Sequence, residues 1–506
     1  MGVFNHFPYT NIHELNLDWI IRELGEVKKK EDLVDEAVES SKENADSAQQ
    51  SADDAELTLN ILKGTIVTPE MFGAIGDGVT DDSSAIEDAL DSGKTLYLTK
   101  RYKAELSYTG DVTITGNPDS EIIGSLAVTG DVDISNIKLT KSSSTNFLFT
   151  ANHGKLYANN CVFDGNGDDI FSCVQLNSTV LATVKNCKIF NSTGRNGIAI
   201  SSSSNVTVEN CYITSIYGPG IQTFDICNNI RILNNFVYNT NIGVWTGDGG
   251  SDGCISTYGD TTGTGTTPSE NFEIRGNIIY NDMIVEANTG VAVRLNGVKN
   301  CYFDHNFIYN PFFVGLLIQD RVHTTGGVDY IVKNESVEVS NNMIITPTKN
   351  IACAIVRGGV SIYIKNNVLK NTSTDSYTLN MITFGQSGIA TSINDYLLIE
   401  NNRFESISGA GRKQPFTFAN KPKMCIIKNN VFNTGGGMNG SIERLWLLDN
   451  IIHTTDHNLV VNLTADYAFV ANNIYSYGTA NGTFTVNATN SVYNQNNNPD
   501  GGMYAV

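Results

Sequence analysis

No stretch of this sequence approaches eighteen uninterrupted apolar residues, and the start "MGVFNHFPYT" has no basic segment leading into an apolar one. A membrane-spanning helix and a secretory leader are therefore not expected. N-myristoylation is not expected either, because the sixth position, which needs Ser or Thr, is His6. Positive charge is scarce, with 33 Lys and Arg against 53 Asp and Glu and a net charge of -20. So negative a body is not drawn to nucleic acid or to an acidic membrane, which leaves synthesis in a host cytoplasm with no nucleic-acid partner and no membrane insertion as the expectation. The nine cysteines form no CxxC pair. Cys161, Cys187 and Cys211 each follow an Asn in a repeating frame, and the expectation is buried thiols rather than metal ligands.

What is present begins with a stripe. From Leu17 to Leu62 the positions Leu17, Ile20, Leu24, Val27, Glu31, Val34, Val38, Ser41, Ala45, Ala48, Ala52, Ala55, Leu59 and Leu62 alternate in steps of three and four, and all but Glu31 and Ser41 are apolar. Charged runs such as "KKKED" fill the intervals, which is the pattern of an α-helical coiled-coil stalk over 17–63. So thin a stripe on so long a helix needs partner helices, and at about 1.5 Å per residue the stalk reaches ~70 Å. At its start "FPYTNIHELNLDWII" carries Phe7, Tyr9, Leu17 and Trp19 on a segment too short to bury them alone, which suggests a docking peptide, residues 1–16, held by another protein.

From residue 130 onward the chain repeats itself. Short apolar segments enclose an Asn: "DISNIKL", "ANNCVF", "VKNCKIF", "LNNFVY", "IRGNIIY", "FDHNFIY", "VSNNMII", "IKNNVF" and "VANNIY" among others. Spacings cluster in the mid-twenties, the size of a unit that buries its apolar face only against its neighbours. β-Branched and aromatic residues dominate, and Gly and Asn punctuate. These features predict a mainly β fold, a right-handed parallel β-helix forming a single-stranded solenoid over 111–480, with a cap at 64–110 before it and a C-terminal cap at 481–506. The marker Asn residues, such as Asn160, Asn210 and Asn342, are expected at tight corners with left-handed backbone angles, their amides paired from turn to turn. "NVT" at Asn205 then reads as corner chemistry rather than a glycosylation site.

The stretch "FGAIGDGVTDDSSAIEDAL" from Phe72 to Leu90 is glycine-rich, but its Asp77, Asp81 and Asp82 would repel a phosphate. The nearby "SGKT" has Asp88 where a phosphate loop needs its first Gly, and it leads into "TLYLT", a strand rather than a helix. Asp81 or Asp82 is instead expected to cap a short helix that buries Ala85, Ile86, Ala89 and Leu90 and closes the open end of the coil. This motif resembles the N-terminal signature of the pectate-lyase-like β-helix superfamily, found in polygalacturonase-type enzymes and in phage tailspike and preneck-appendage proteins. "TNIHELNLDWIIREL" is similar to the start of tail or appendage proteins of short-tailed phages. Together they imply a homotrimeric virion tail appendage, anchored to tail or collar proteins through residues 1–20, with its β-helix facing a host polysaccharide or teichoic acid. The signature names a scaffold and not a reaction.

Candidate site residues come from a second ladder, the Gly-led strands at Gly197, Gly220, Gly253, Gly290 and Gly315 and then "ACAIVRGG" from Ala352. Alternation places Gln222, Thr257, Arg294 and Gln319 on one outer face, with Asp225, Tyr258, Asp320 and Arg357 near its edge. The longest insert adjoins this face and carries Trp245, Asp248 and Asp252. Polar and aromatic groups on a long sheet suit a polysaccharide, so Gln222, Trp245, Tyr258, Arg294, Gln319, Arg321 and Arg357 are the expected sugar contacts.

Glycoside hydrolysis needs two carboxyl groups about 5 Å or roughly 6.5–9.5 Å apart. Asp225 and Asp320, three turns apart and so ~14 Å distant, do not pair. Asp225 with Asp248 or Asp252, or Asp320 with Glu286, are the remaining pairs. A lyase would use a base such as Arg294 and often Ca²⁺. No cofactor is required, and "DGNGDD" from Asp164 begins like a Ca²⁺ loop but lacks its Gly and Glu. Two readings stand: a spike that recognises and cuts surface polysaccharide, and an adhesin or structural appendage that binds a glycan or teichoic acid without cutting. A free secreted pectinase would have no use for a stalk.

Overall fold

The computed structural model describes residues 58–59, 64–142, 146–242, 253–260, 265–281, 290–311, 314–325, 328–346, 352–372, 381–385, 394–406, 414–454, 459–477, 483–495 and 498–499. The chain divides into two units, Met1–Val67 with Gly502–Val506, and Thr68–Gly501. Within the first, Thr58 and Leu59 are helical and Ile66–Val67 is a short strand. The rest of the expected stalk and the docking peptide lie outside the described residues.

In the second unit each turn of chain contributes three strands, illustrated by Ser172–Asn177, Leu181–Lys185 and Lys188–Ser192. Each strand pairs in parallel with its equivalent one turn on, Ser172–Asn177 with Asn196–Ser201, Leu181–Lys185 with Ser204–Glu209, and Lys188–Ser192 with Tyr212–Ile216. The result is a parallel β-helix of three long sheets, called first, second and third in that order. Within this unit parallel stacking starts at Asp77–Asp81, which pairs with Arg101–Thr109, and continues to Asn498–Pro499, which pairs with Ile474–Tyr477. An antiparallel hairpin, Arg321–Thr325 with Val328–Val332, stands out from the coil.

Alternation builds the core. On the third sheet Ile189, Ile213, Val237, Ile279, Ile308, Ile344 and Leu369 fall in one register column and are buried. Near the C-terminal end Phe404 and Phe432 stack at 4.8 Å, with Phe416 edge-on to both. All nine cysteines are free and buried.

The corner between the second and third sheets differs from the expected frame. The left-handed residues are Asn136, Asn160, Asn186 and Asn210, followed by Asn234, Gly276, His305, Asn341, Asn366, Asn401, Asn429, Asp449 and Asn472. From Asn235 onward the marker Asn is the residue after the corner, turned inward and buried. Each is then fully used. The backbone N–H and side-chain Nδ2 of Asn342 donate to Asn367 Oδ1 at 2.9 and 3.0 Å, while Nδ2 also donates to the carbonyls of Phe303 and Ser340. The same pattern links Asn235, Asn277, Asn306, Asn367, Asn402, Asn430, Asn450 and Asn473. In the earlier turns Cys161, Cys187 and Cys211 hold this inward position, each thiol donating to a carbonyl of the previous turn. Asn205 is left-handed, and its amide oxygen accepts from Asn229 in an outer ladder.

At the N-terminal end the helix Ser83–Asp91 buries Ile86, Ala89 and Leu90 against the strands Thr95–Leu98 and Arg101–Thr109. The two capping aspartates divide the work. Asp81 Oδ1 accepts the Ser83 N–H, whereas Asp82 turns back and accepts the N–H groups of Ile75 and Gly76. The N–H groups of Val79 and Thr80 go to Asp77. The glycine-rich loop thus satisfies its own donors with its own carboxylates.

Candidate functional site

The outer face of the first sheet carries two register columns. One includes Gln222, Ser256, Arg294 and Leu317, the other Tyr258, Asn296, Gln319 and Arg357. Gln222, Arg294 and Gln319 therefore share the outer face, as alternation predicts. Thr257 does not. Ile221 pairs with Ile255, so Gly253 matches Pro219 rather than Gly220, and Thr257 falls opposite the inward Leu295. Counting outward positions from Gly253 as if it were Gly220 misplaces it by one.

An outer face would ordinarily be wet, yet here polar side chains are buried: Arg294 is 8% exposed and Asn296 3%. Tyr258 is the hub. Arg294 Nη1 donates to its hydroxyl at 3.1 Å. The guanidinium carbons of Arg294 and Arg321 lie 5.3 and 4.9 Å from its ring centroid, so two cations meet one aromatic ring. Arg357 is half-buried beside them, and burial together with the Arg294 charge lowers its pKa. Two polar atoms in the second column, Arg357 Nε and Asn296 Oδ1, are buried without a hydrogen-bond partner among the described residues. Leaving each unmet costs about 1–3 kcal/mol.

Asp320 sits where the hairpin leaves the coil. Its N–H donates to the Arg357 carbonyl at 3.0 Å, and its Oδ1 accepts the Asn334 N–H at 2.8 Å, which closes the base of the insertion. It is 4% exposed and its Oδ2 has no partner among the described residues. Burial pushes its pKa up to about 6, against the opposing effects of the Asn334 N–H and the Lys333 charge. Gly358, at φ +95°, makes room for this carboxylate, since a Cβ there would meet Oδ2 at 2.3 Å.

Asp225 occupies a left-handed corner at φ +58°, and its Oδ2 accepts from Ser201 and Ser202 at 3.0 and 3.4 Å. The strands before Asp225 and Asp320, Ile221–Phe224 and Val314–Gln319, are three turns apart. Trp245, Asp248, Asp252 and Glu286 lie outside the described residues. Asn296 was not singled out by the sequence, although it stands two residues after Arg294 and so shares its face. Among the described residues no three His, Cys, Asp or Glu side chains are grouped to hold a metal ion, and no helix is long and apolar enough to cross a membrane. In the expected Ca²⁺-like loop, Asp164 Oδ1 accepts the Asn166 N–H in a turn.

A shallow cleft on the second sheet is lined by Asp111, Asp131, Asp133, Lys155 and Tyr157. Its carboxylates are largely committed: Asp111 accepts the Asp131 N–H, and Asp131 accepts both the backbone N–H and the ammonium of Lys155. The first-sheet cluster, with buried atoms still unmet, is the stronger candidate.

Residues 122–258 and 172–342 match the family described as the right-handed β-helix region. Among solved structures the chain is similar to the tailspike protein gp49 of Pseudomonas phage LKA1, at 13% identity over 81% of this chain and 80% of that one, with a TM-score of 0.44. It is also similar to the surface protein and adhesin PfbA of Streptococcus pneumoniae, at 14% identity over 86% and 98%, TM-score 0.40. The A-module of the mannuronan C-5 epimerase AlgE4 of Azotobacter vinelandii matches at 14% identity over 76% and 94%, TM-score 0.40.

Proposed function

We propose that the chain is a polysaccharide-binding β-helix, the receptor-recognition appendage of a short-tailed phage, which grips host-surface glycan on the outer face of its first sheet. The observation that carries this reading is the cluster around Tyr258: two guanidiniums on one ring, with Arg357 Nε and Asn296 Oδ1 buried and unmet in the next turns. Arg321 and Arg357 keep part of their surface open, and sugar hydroxyls accept hydrogen bonds from guanidinium N–H groups. The arginines also suit a sugar acid or a teichoic-acid phosphate, and they supply the local positive charge that a chain of net charge -20 otherwise lacks. In this reading residues 17–63 join three copies and residues 1–20 hold them to the tail or collar.

Cleavage is the second step of the proposal. Asp225 and Asp320 are both engaged in local hydrogen bonds, so a depolymerase would pair Asp225 with Asp248 or Asp252, or Asp320 with Glu286. The test is incubation of purified host capsular or cell-wall polysaccharide with the protein, reading retention and polymer length with and without Ca²⁺. Retention that is lost in Tyr258→Ala, with the fold intact, is the expected result. Shortening abolished by the triple change Asp225→Asn, Asp248→Asn, Asp252→Asn would add the enzyme, and failure to retain any host polysaccharide would overturn the reading.

A further inference from the structure

The hairpin that leaves the coil stands apart from it. Arg321–Thr325 and Val328–Val332 pair with each other in a sheet of two strands, and among the described residues no ladder joins them to the β-helix. The outer part is open to solvent, with Val322 42% and Val328 54% exposed. What holds the hairpin lies at its base. Val332 is fully buried against Gly259 and Gly297, where an added Cβ would come within 2.9 and 2.8 Å of Val332 Cγ1. Arg321 begins the outgoing strand and lays its guanidinium on the Tyr258 ring.

Two residues form the hinge, Asp320 where the chain leaves and Asn334 where it returns. Asn334 is fixed to the coil: its Oδ1 accepts the Val298 N–H at 3.0 Å and its carbonyl accepts the Val360 N–H at 2.8 Å. One oxygen of Asp320 closes the hinge by accepting the Asn334 N–H. The other, Oδ2, and Asn334 Nδ2 are buried and unmet among the described residues. A neutral carboxyl tolerates such a setting, whereas an anion there costs far more than an unmet dipole. Burial accordingly outweighs the Asn334 and Gly359 N–H groups and Lys333, which favour the anion. Asp395, two turns on, opposes it and is itself 4.0 Å from Lys333 and 2.6 Å from Lys423. Arg321 and Arg357 also adjoin Asp320, but the first lies on Tyr258 and the second beside Arg294.

We propose that Asp320 makes the hairpin a proton-controlled flap: with the carboxyl protonated the hinge is shut and Arg321 rests on Tyr258, and with it ionised water enters and the hairpin lifts off the first-sheet face. The sign follows from solvation. In the open hinge the carboxyl is wet and holds its proton no more tightly than an ordinary one, so opening is favoured as pH rises through about 6. The inference rests on the hinge alone and not on what the face binds. A histidine also changes charge in this range, and His323 pairs with Tyr330 on the hairpin, so it serves as the control.

The test places Val332→Cys in the full chain and follows its modification by a methanethiosulfonate reagent at pH 4.5 and 7.5. Each rate is divided by that of Tyr302→Cys, 56% exposed on the second sheet, and the native thiols are buried. Hydrogen exchange of the Asp320 and Asn334 amides, read as protection factors, follows the same opening in the chain without Val332→Cys. The expected result is a relative rate about twentyfold higher at pH 7.5, with hinge protection lower by the same factor, in the otherwise native chain and in His323→Gln. With Asp320→Asn both readouts are flat. Flat readouts in the native chain would overturn the proposal, and so would a pH response that survives Asp320→Asn or disappears in His323→Gln. An equal loss of protection in the third-sheet strand Met343–Thr346 would mean that the whole coil loosens and would overturn it too.

Discussion

Two outer faces of one coil break the usual rule in opposite directions. The first sheet points Gln222, Arg294 and Asn296 away from the core and buries them, while the third points Tyr212, Ile278, Met343 and Ile451 outward and leaves them exposed. Both arise from the same alternation, since every second residue faces out. The difference lies in what the outward residues can still do. Polar groups buried on the first face contact one another, as Arg294 contacts Tyr258, and leave single atoms such as Asn296 Oδ1 unmet among the described residues. Apolar groups on the third face need no partner for the fold. A coil whose core is set by one side of its strands is free to specialise the other side sheet by sheet.

The largest effect is expected where a substitution erases the comparison by loosening the coil under both faces. Asn367→Leu removes the acceptor for Asn342 N and Nδ2 and the donor to the Val339 carbonyl. With about 1–3 kcal/mol for each buried group left unmet, denaturant titration should show a loss of about 4 kcal/mol. Next comes Asp320, whose folded pKa of about 6 lies above the ordinary carboxylate value of 3.8. Its contribution is fully present below pH ~4 and is lost as pH rises through ~6. Wild type minus Asp320→Asn should therefore gain up to about 3 kcal/mol on acidification from pH 7 to 4, at 1.36 kcal/mol per pKa unit. A difference that is flat with pH would remove the buried carboxylate from this account.

Smaller effects sharpen the contrast between the faces. Tyr258→Phe deletes the hydroxyl that receives Arg294 and should cost about 1 kcal/mol in thermal unfolding, with roughly fivefold weaker glycan retention. Ile451→Ser, nearly half exposed on the third face, should shift monomer stability by less than about 0.5 kcal/mol. If Ile451→Ser destabilised the fold more than Tyr258→Phe, the distinction drawn between the faces would fail.

The fold was legible because the repeat carries its own period and β-branched alternation. The corner frame was legible only in part. In the doublets "NN" either Asn can be the left-handed one, but "RGNIIY" and "FDHNFIY" hold Gly276 and His305 at the corner, which points to the Asn after it as the inward residue. Cys161, Cys187 and Cys211 fit the same frame, since they follow Asn and stand where Asn235 and its successors stand. Placing Gln222, Arg294 and Gln319 on one face needed only alternation. Their burial could not be read, because it depends on side chains that meet from neighbouring turns, as Arg294 meets Tyr258. Thr257 was misplaced because sequence does not reveal where the strand after the long insert comes back into register. The exposed apolar residues of the third sheet left a signal, an aromatic or aliphatic residue at both inward and outward positions of "NFVY", "NIIY" and "NFIY", but a pattern that is apolar throughout does not say which residues are outside.

The central claim, that glycan lies on the first-sheet outer face, is tested most directly by arginine footprinting. Phenylglyoxal modification would be followed by mass spectrometry with and without saturating host polysaccharide. Arg321 and Arg357 are partly exposed at the proposed site, while Arg231 and Arg403 are exposed on the second and third sheets. The account predicts that polysaccharide protects Arg321 and Arg357 and leaves Arg231 and Arg403 unchanged; protection of Arg231 or Arg403, with Arg321 and Arg357 still reactive, would contradict it.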